Sequence, residues 1–145
     1  MSISRVCLTG VMRALALCLV ISGVCASIGS AQPRGKPAPT HPNVAYGPHE
    51  RNVVDVWLAE STTPTPLVLY IHGGGFRGGS KESLRPDTLR QLLDAGISVA
   101  GVNYRLISHQ RLPAAHHDCR RALQFLRSKA GEWNLDKTRV GAFGG

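Results

Sequence analysis

Three short, largely apolar runs stand out in this sequence after residue 66. They are LVLYI at residues 67–71, ISVAGV at residues 97–102 and RVGAF at residues 139–143. Runs of this kind are typical of strands that are buried on both faces of a parallel sheet. Because a segment with helical apolar spacing separates each run from the next, the sequence predicts an α/β fold. We expect a mostly parallel sheet with helices on both of its faces.

The two segments between these runs carry start and stop signals of helices. In the first, Pro86 suits the opening turn, and Gly96 is a typical residue just past the last turn. In the second, Pro113 opens the helix. The residues expected to face the core are Leu89, Leu92 and Leu93, and then Ala115, Cys119, Ala122, Leu123, Leu126 and Ala130. An earlier strand is predicted at residues 52–58 (NVVDVWL), with Asp55 pointing outward.

The first 31 residues have the form of a secretory signal peptide. Arg5 and Arg13 precede an apolar run at residues 14–26, and small residues follow at positions 29–31. The run is short for a membrane span and is interrupted by a serine and a glycine. We therefore expect removal of residues 1–31 and a secreted or periplasmic protein without stable membrane insertion. A retained membrane anchor is the less favoured alternative, and a lipoprotein is weaker still.

A proline-rich segment at residues 32–44 follows and is expected to be a linker. Ordered structure should begin near Tyr46, in a domain that spans residues 45–145. Once the signal peptide is removed, Cys119 is the single remaining cysteine, so no internal disulfide can form. Its place in a helical apolar pattern indicates a buried structural thiol rather than a nucleophile.

Neither nucleic acid nor a metal is predicted as a ligand. The net charge is +8, but the basic residues do not cluster into a long run, which favours a solvated basic surface. His116 and His117 are adjacent on the second predicted helix. Neighbouring helical residues point about 100° apart, so these two side chains cannot easily share one metal ion.

The stretch HGGGFRGGSK at residues 72–81 follows the first apolar run directly. A phosphate loop is excluded, because serine and lysine stand in the wrong order after the last glycine. A dinucleotide fingerprint matches Gly73, Gly75 and Gly78 literally. That match is a distant alternative, because Asn103 and Tyr104 stand where an acid should bind the ribose. A third possibility is an oxyanion hole, in which backbone N–H groups stabilise the negative oxygen of a tetrahedral intermediate.

Several segments together resemble a known family. In chain order they are LVLYIHGGGF, GGSK, VAGVNYRL, PAAHHDCRRALQFLR and NLDKTRVGAFGG. Over about residues 45–145 the sequence is similar to secreted α/β-hydrolases of the carboxylesterase/lipase class, near the hormone-sensitive-lipase-like and feruloyl-esterase-like groups. The resemblance implies a serine hydrolase of carboxylic esters that needs no metal or organic cofactor. Its substrate would be a small-molecule or polysaccharide-linked ester.

The resemblance also implies roles for individual residues. Gly74 and Gly75 would be the oxyanion donors, whereas Gly73 and His72 would shape the loop. Phe76 would line the substrate pocket or simply pack. Tyr104 and Arg105 would brace the segment after the strand, and Asp118 would either set the helix against that segment or be solvated. Trp57 and Trp133 are expected to be packing residues.

Gly144 and Gly145 match the first two positions of the nucleophile motif G-x-S-x-G. The resemblance therefore implies that the nucleophilic serine, the acid and the histidine of the triad are not among these 145 residues. We expect an incomplete, truncated hydrolase domain that is inactive by itself. Two alternatives stay open: a non-catalytic hydrolase-like binding module, and an amide or peptide hydrolase on the same fold.

Overall fold

The computed structural model describes residues 35–145. The predicted signal peptide and the start of the predicted linker lie outside the described residues. The elements are β1 (His41–Ala45), β2 (Val53–Trp57), β3 (Thr65–Ile71), a short 3₁₀ helix (Lys81–Ser83), α1 (Pro86–Asp94), β4 (Ser98–Val102), α2 (Ala114–Ser128) and β5 (Leu135–Gly144). Within this part of the chain, no helix has the length and apolar character that a membrane crossing requires.

All five strands belong to one sheet in the order β1-β2-β4-β3-β5. β3 lies between β4 and β5 and runs parallel to both, as predicted from the three apolar runs. β2 runs antiparallel to β1 and to β4, so the other side of the sheet is antiparallel. The mixed sheet, with its parallel part at β4-β3-β5, confirms the predicted α/β class.

The two helices cover opposite faces of the sheet. α2 packs through Leu126 onto a core that contains Leu69 of β3. α1 packs through Leu89 onto a second core, and Tyr70 of β3 packs against that core. Neighbouring strand residues point to opposite faces, so Leu69 and Tyr70 contact different helices. Helices on both faces were predicted, and the two separate cores confirm them.

The start of the ordered domain differs from the prediction. β1 lies partly inside the segment 32–44 that was expected to be a linker, so the expectation that order begins near Tyr46 is wrong. The preceding residues also contact the sheet: Nε1 of Trp57 donates a hydrogen bond to the carbonyl of Pro37 at 2.9 Å. Pro42 is tolerated because β1 is an edge strand, where a missing N–H disrupts no ladder on the open side.

The orientation of Asp55 also differs from the prediction. It was expected to point outward, but it is buried beside Lys81, whose Nζ lies 2.9 Å from its Oδ2. The other carboxylate oxygen accepts a hydrogen bond from the backbone N–H of Asn43 at 2.7 Å. Burial lowers the pKa of Lys81, but hydrogen bonds and ion pairs with Glu82 and Asp55 outweigh it and raise that pKa. The charged lysine therefore ties the 3₁₀ helix to β1 and β2.

β5 begins earlier than the apolar run that predicted it. Leu135 pairs with Thr65, and the ladder then shifts register before Val140 pairs with Leu67. The intervening residues form a turn in which Oδ1 of Asp136 accepts the backbone N–H of Thr138 at 2.9 Å. This Asx-type turn lies within β5, where it causes the register shift, and does not precede the strand.

Candidate active site

The strand order determines where a ligand can bind. The chain passes from β3 to β4 on one side of β3 and returns to β5 on its other side. In open α/β sheets, such a reversal leaves a crevice at the carboxyl ends of the strands. Ile71 at the end of β3 is paired with Gly144 near the end of β5. The glycine-rich loop, defined here as residues 72–80, begins at this crevice.

A cavity of about 510 Å³ opens at the same place. It is lined by residues 71–76, by Tyr104 and by residues 142–145. A Cβ atom on Gly73 would overlap the carbonyl group of Gly145. The loop and the end of β5 therefore lie in direct backbone contact, and only glycine permits this approach at position 73.

The glycine-rich loop adopts backbone conformations that side chains disfavour. The φ angle is +111° at Gly74, +57° at Gly75 and +93° at Gly79. The carbonyl of Gly74 accepts hydrogen bonds from the N–H groups of Arg77 at 3.0 Å and Gly78 at 3.3 Å, which closes a tight turn. A Cβ on Gly74 would overlap the Gly78 carbonyl, whereas one on Gly75 would meet open space. Steric closeness therefore restricts position 74 more than position 75.

The backbone N–H groups of Gly74 and Gly75 are free to bind a ligand. Neither donates a hydrogen bond to any atom of residues 35–145. Both glycines are exposed, and both line the cavity. Two neighbouring backbone donors without a partner among residues 35–145 form a suitable site for a negative or polarised oxygen.

His72 lies beneath the loop and is 2% exposed. Its Nδ1 lies 2.8 Å from the carbonyl oxygen of Gly73, so Nδ1 carries the ring proton and donates it. Nε2 is then an acceptor, 3.4 Å from a guanidinium nitrogen of Arg51. Burial lowers the pKa of His72. The hydrogen bond to Gly73 partly opposes this effect, and the positive charge of Arg51 adds to it. The neutral ring stacks on Tyr104 with a centroid distance of 4.2 Å.

Arg51 holds this arrangement together, although the sequence analysis did not single it out. Its Nε donates a hydrogen bond to the carbonyl of Tyr104 at 2.8 Å, and its Nη2 donates to the carbonyl of Gly79 at 2.9 Å. With the contact to His72, one guanidinium connects the segment after β4 to both ends of the glycine-rich loop. No local motif marks Arg51, because all of these partners are distant in sequence.

We expect Arg51→Lys to destabilise the protein by about 1–3 kcal/mol. A lysine ammonium cannot reproduce the planar fork that reaches two carbonyl groups and a ring nitrogen at once. The urea midpoint of unfolding measures this loss. Arg127→Lys is the matched control, because Arg127 is exposed on α2 and its side chain makes no hydrogen bond to residues 35–145. Equal midpoints for the two variants would contradict the role given to Arg51.

Tyr104 and Arg105 brace the segment after β4, as predicted. Oη of Tyr104 donates a hydrogen bond to the carbonyl of His72 at 2.7 Å. Arg105 donates through Nε and Nη2 to the two carboxylate oxygens of Asp118, at 2.8 and 2.7 Å. Asp118 is 1% exposed, so it sets α2 against this segment and is not solvated. Burial disfavours its charged form, but the hydrogen bonds from Arg105 outweigh that effect and lower the pKa of Asp118.

Phe76 lines the main cavity and also packs. Its ring lies against Tyr104 and His116, with centroid distances of 6.1 and 5.4 Å. A second cavity of about 270 Å³ lies behind it and reaches Cys119 of α2. Burial raises the pKa of Cys119 to about 11, which keeps the thiol protonated and fits the predicted structural role. His116 and His117 are exposed on α2, in agreement with the prediction of a solvated helix surface.

Comparison with protein families shows which group of proteins carries this loop. A family model described as BD-FAE matches residues 54–145, which is more than half of the chain. The chain belongs to the BD-FAE family. The part that matches BD-FAE contains the glycine-rich loop, the segment after β4 and the whole of β5.

Several relatives of this BD-FAE chain are esterases or ester hydrolases by name. It is 34% identical to an arylesterase from Saccharolobus solfataricus over 84 residues, which cover 57% of this chain and 27% of the relative. It is 39% identical to an ethyl acetate hydrolase from Pseudomonas putida over 79 residues, which cover 53% of this chain and 24% of the relative. The chain thus spans about a quarter of the length of these curated relatives.

A solved structure supports the same relationship. A bacterial heroin esterase matches with a TM-score of 0.57 and 33% identity, over 69% of this chain and 32% of that one. Together with the relatives and the BD-FAE match, this confirms the predicted resemblance to α/β-hydrolases of the carboxylesterase class. It also confirms that the described residues form part of such a domain.

Proposed function

We propose that this BD-FAE protein hydrolyses carboxylic esters through a serine nucleophile, with the N–H groups of Gly74 and Gly75 as its oxyanion hole. The observation that carries the proposal is the pair of free backbone donors at the cavity. They lie next to each other on a loop whose shape is fixed by His72 and Arg51.

The chemistry of ester hydrolysis requires such donors. Attack on the ester carbonyl forms a tetrahedral intermediate in which the former carbonyl oxygen is negative. Donors that are already in place stabilise this charge without reorganisation when it develops. The neutral, buried His72 holds the Gly73 carbonyl and does not act as the base. The reaction needs no metal or organic cofactor.

We further propose that the nucleophilic serine follows Gly145 in a longer protein, and that the acid and the catalytic histidine lie beyond it. Gly144 and Gly145 match the start of the G-x-S-x-G motif, and they lie against the glycine-rich loop. Within residues 35–145, the Ser–His hydrogen bond is that of Ser108 and His109, two exposed neighbours outside the cavity lining. The 145-residue chain by itself is therefore proposed to be inactive.

The proposed substrate is a small ester or an ester attached to a polysaccharide. The names of the relatives, an arylesterase and an ethyl acetate hydrolase, support small acyl and alcohol groups. The proposal includes secretion, with residues 1–31 removed as a signal peptide. The secreted protein would then bind its substrate outside the cytoplasm.

The test compares the protein encoded past codon 145 with residues 32–145 alone. We expect the longer protein to hydrolyse p-nitrophenyl acetate and to react with a fluorophosphonate probe at one serine. The shorter chain should do neither. Mass spectrometry of the secreted protein should give Gln32 as the first residue.

Three results would count against parts of the proposal. The first is a folded longer protein that leaves both the ester and the probe untouched, which would favour a binding module. The second is steady ester turnover by residues 32–145, which would show that the nucleophile lies within them. Cleavage of aryl amides in preference to esters would replace the proposed substrate class.

A further inference from the structure

Two histidines and a glutamate meet on the surface beside the segments that support the glycine-rich loop. His49 and Glu50 lie in the turn between β1 and β2, and His109 lies in the segment between β4 and α2. We propose that these three residues form a binding site for one divalent transition-metal ion, for which Zn²⁺ is the probe. The site is separate from the ester chemistry and does not depend on it.

The geometry brings one potential ligand atom from each residue to the same place. The three ligand atoms all lie within 4.8 Å of one another. Nε2 of His109 lies 4.0 Å from Oε1 of Glu50. The imidazole rings of His49 and His109 approach edge to face, with centroids 5.1 Å apart. Ligand atoms on a tetrahedral Zn²⁺ lie roughly 3.3 Å apart, so a modest contraction of the cluster completes the site.

One side-chain contact of His109 suits a metal ligand. Its Nδ1 lies 3.3 Å from Oγ of Ser108, which accepts the ring proton in the tautomer that binds metal. In that tautomer the lone pair of Nε2, 4.0 Å from Oε1 of Glu50, is available to the ion. Metal-binding histidines commonly donate their second N–H in this way, because the donation fixes the tautomer.

His49 must change one hydrogen bond to bind metal. Its Nδ1 accepts the backbone N–H of Arg51 at 3.1 Å. A metal on Nδ1 takes the lone pair that accepts this N–H, and a metal on Nε2 moves the ring proton to Nδ1, where it would face the N–H group. Metal binding therefore displaces this contact, which makes the site weaker than a preformed structural zinc site.

The exposure of the cluster permits both entry and adjustment. The side chain of Glu50 is 80% exposed and that of His109 is 30% exposed, so a hydrated ion can reach both. Two imidazole nitrogens and one carboxylate oxygen form a ligand set that suits Zn²⁺, with water at the fourth position. Cu²⁺ should bind the same set more tightly, whereas Mg²⁺ and Ca²⁺ prefer oxygen ligands.

A bound ion would connect two segments that both touch the glycine-rich loop. Arg51, next to Glu50 in sequence, bonds to the carbonyl of Gly79. Ile107, two residues before His109, donates its backbone N–H to the carbonyl of Phe76 at 2.9 Å. The ion would therefore hold together the two supports of the loop without entering the cavity.

The experiment is a Zn²⁺ titration of the untagged protein, in competition with a chromophoric chelator and after alkylation of the cysteines. We expect one Zn²⁺ per chain. Glu50→Gln and His109→Gln should each weaken binding by at least about tenfold. The control is His117→Gln, which removes an exposed histidine of α2 outside the cluster and should bind like the wild type. Zn²⁺ should also raise the Tm of the wild type and of the control, but not of His109→Gln.

Glu50→Gln keeps the size of an exposed side chain, so its result stands even if the histidine variant folds poorly. Unchanged Zn²⁺ affinity in both cluster variants would overturn the proposal. Saturable binding weaker than about 1 mM in the wild type would overturn it as well. Because the titration and the Tm measurement need no substrate, their outcome is independent of whether the longer protein hydrolyses esters.

Discussion

Replacing Gly74 by alanine should lower the kcat/KM of the longer protein for an aryl ester by about 10²–10³-fold. The φ angle of +111° is strongly unfavourable for alanine, and its Cβ would overlap the carbonyl of Gly78. That carbonyl cannot move freely, because the turn at residues 74–78 is closed by two hydrogen bonds to Gly74. The backbone must rotate instead, and the proposed oxyanion donor turns away from the cavity.

Gly75→Ala separates the two causes of this loss. Its Cβ would meet nothing within 4 Å, so the cost comes from φ alone, which is +57°. We expect it to cost about 1–2 kcal/mol and to affect the rate less than Gly74→Ala does. Gly131→Ala is the control, because that exposed glycine has open space around it and no positive φ.

The measurements are kcat and KM for p-nitrophenyl acetate and the urea midpoint of each variant. A folded Gly74→Ala protein with the kcat/KM of the Gly131→Ala control would remove the oxyanion assignment. A loss that appears in KM alone would also argue against it, since an oxyanion donor acts mainly in the transition state.

Removing the carboxylate of Asp118 should cost about 3–5 kcal/mol of the free energy of unfolding. The side chain is almost fully buried, and it accepts three hydrogen bonds from Arg105, one of them from the backbone. In Asp118→Ala, the backbone N–H and two guanidinium nitrogens of Arg105 lose the hydrogen bonds that this buried carboxylate accepted, although the Arg105 side chain is 21% exposed. Asp94→Ala, at an exposed position at the end of α1, should change the midpoint little.

A double variant tests whether an unpaired charge is the cause. Arg105→Met with Asp118→Leu removes both charges and should be less destabilised than Asp118→Ala alone. The pKa of Asp118 is lowered in the folded state, so its contribution is present above the ordinary carboxyl pKa and is lost as the pH falls through the folded value. The difference between wild type and Asp118→Ala should therefore shrink in acid. Equal stability of the two proteins at neutral pH would refute this account.

The parallel part of the fold was predictable because its signals are local and strong. The run at residues 67–71 lies within β3, and Pro86 begins α1 as its fixed φ suggests. Gly96 follows the helix with φ +74°, the conformation in which glycine ends a helix at least cost. In each case, the residues that carry the signal lie within the element or directly beside it.

The features that escaped prediction depend on distant partners. β1 contains Pro42 and has no apolar periodicity. It forms a strand because its backbone pairs with that of β2. Asp55 is buried because Lys81 neutralises it. Propensity and periodicity carry no information on such pairings. The motif HGGGF located the loop and indicated His72 as a residue that shapes it, but nothing in the motif indicated the contribution of Arg51.

The long reach of Arg51 has a consequence for the order of folding. Its three contacts join it to residues 21, 28 and 53 positions further along the chain. Contacts of such separation form only after the intervening chain has closed into its loops. During synthesis, the glycine-rich loop emerges well before Tyr104, so it stays without its final shape until β4 has joined the sheet. We infer that the loop reaches its final conformation late in folding, after the sheet has assembled, because that conformation depends on contacts with distant residues.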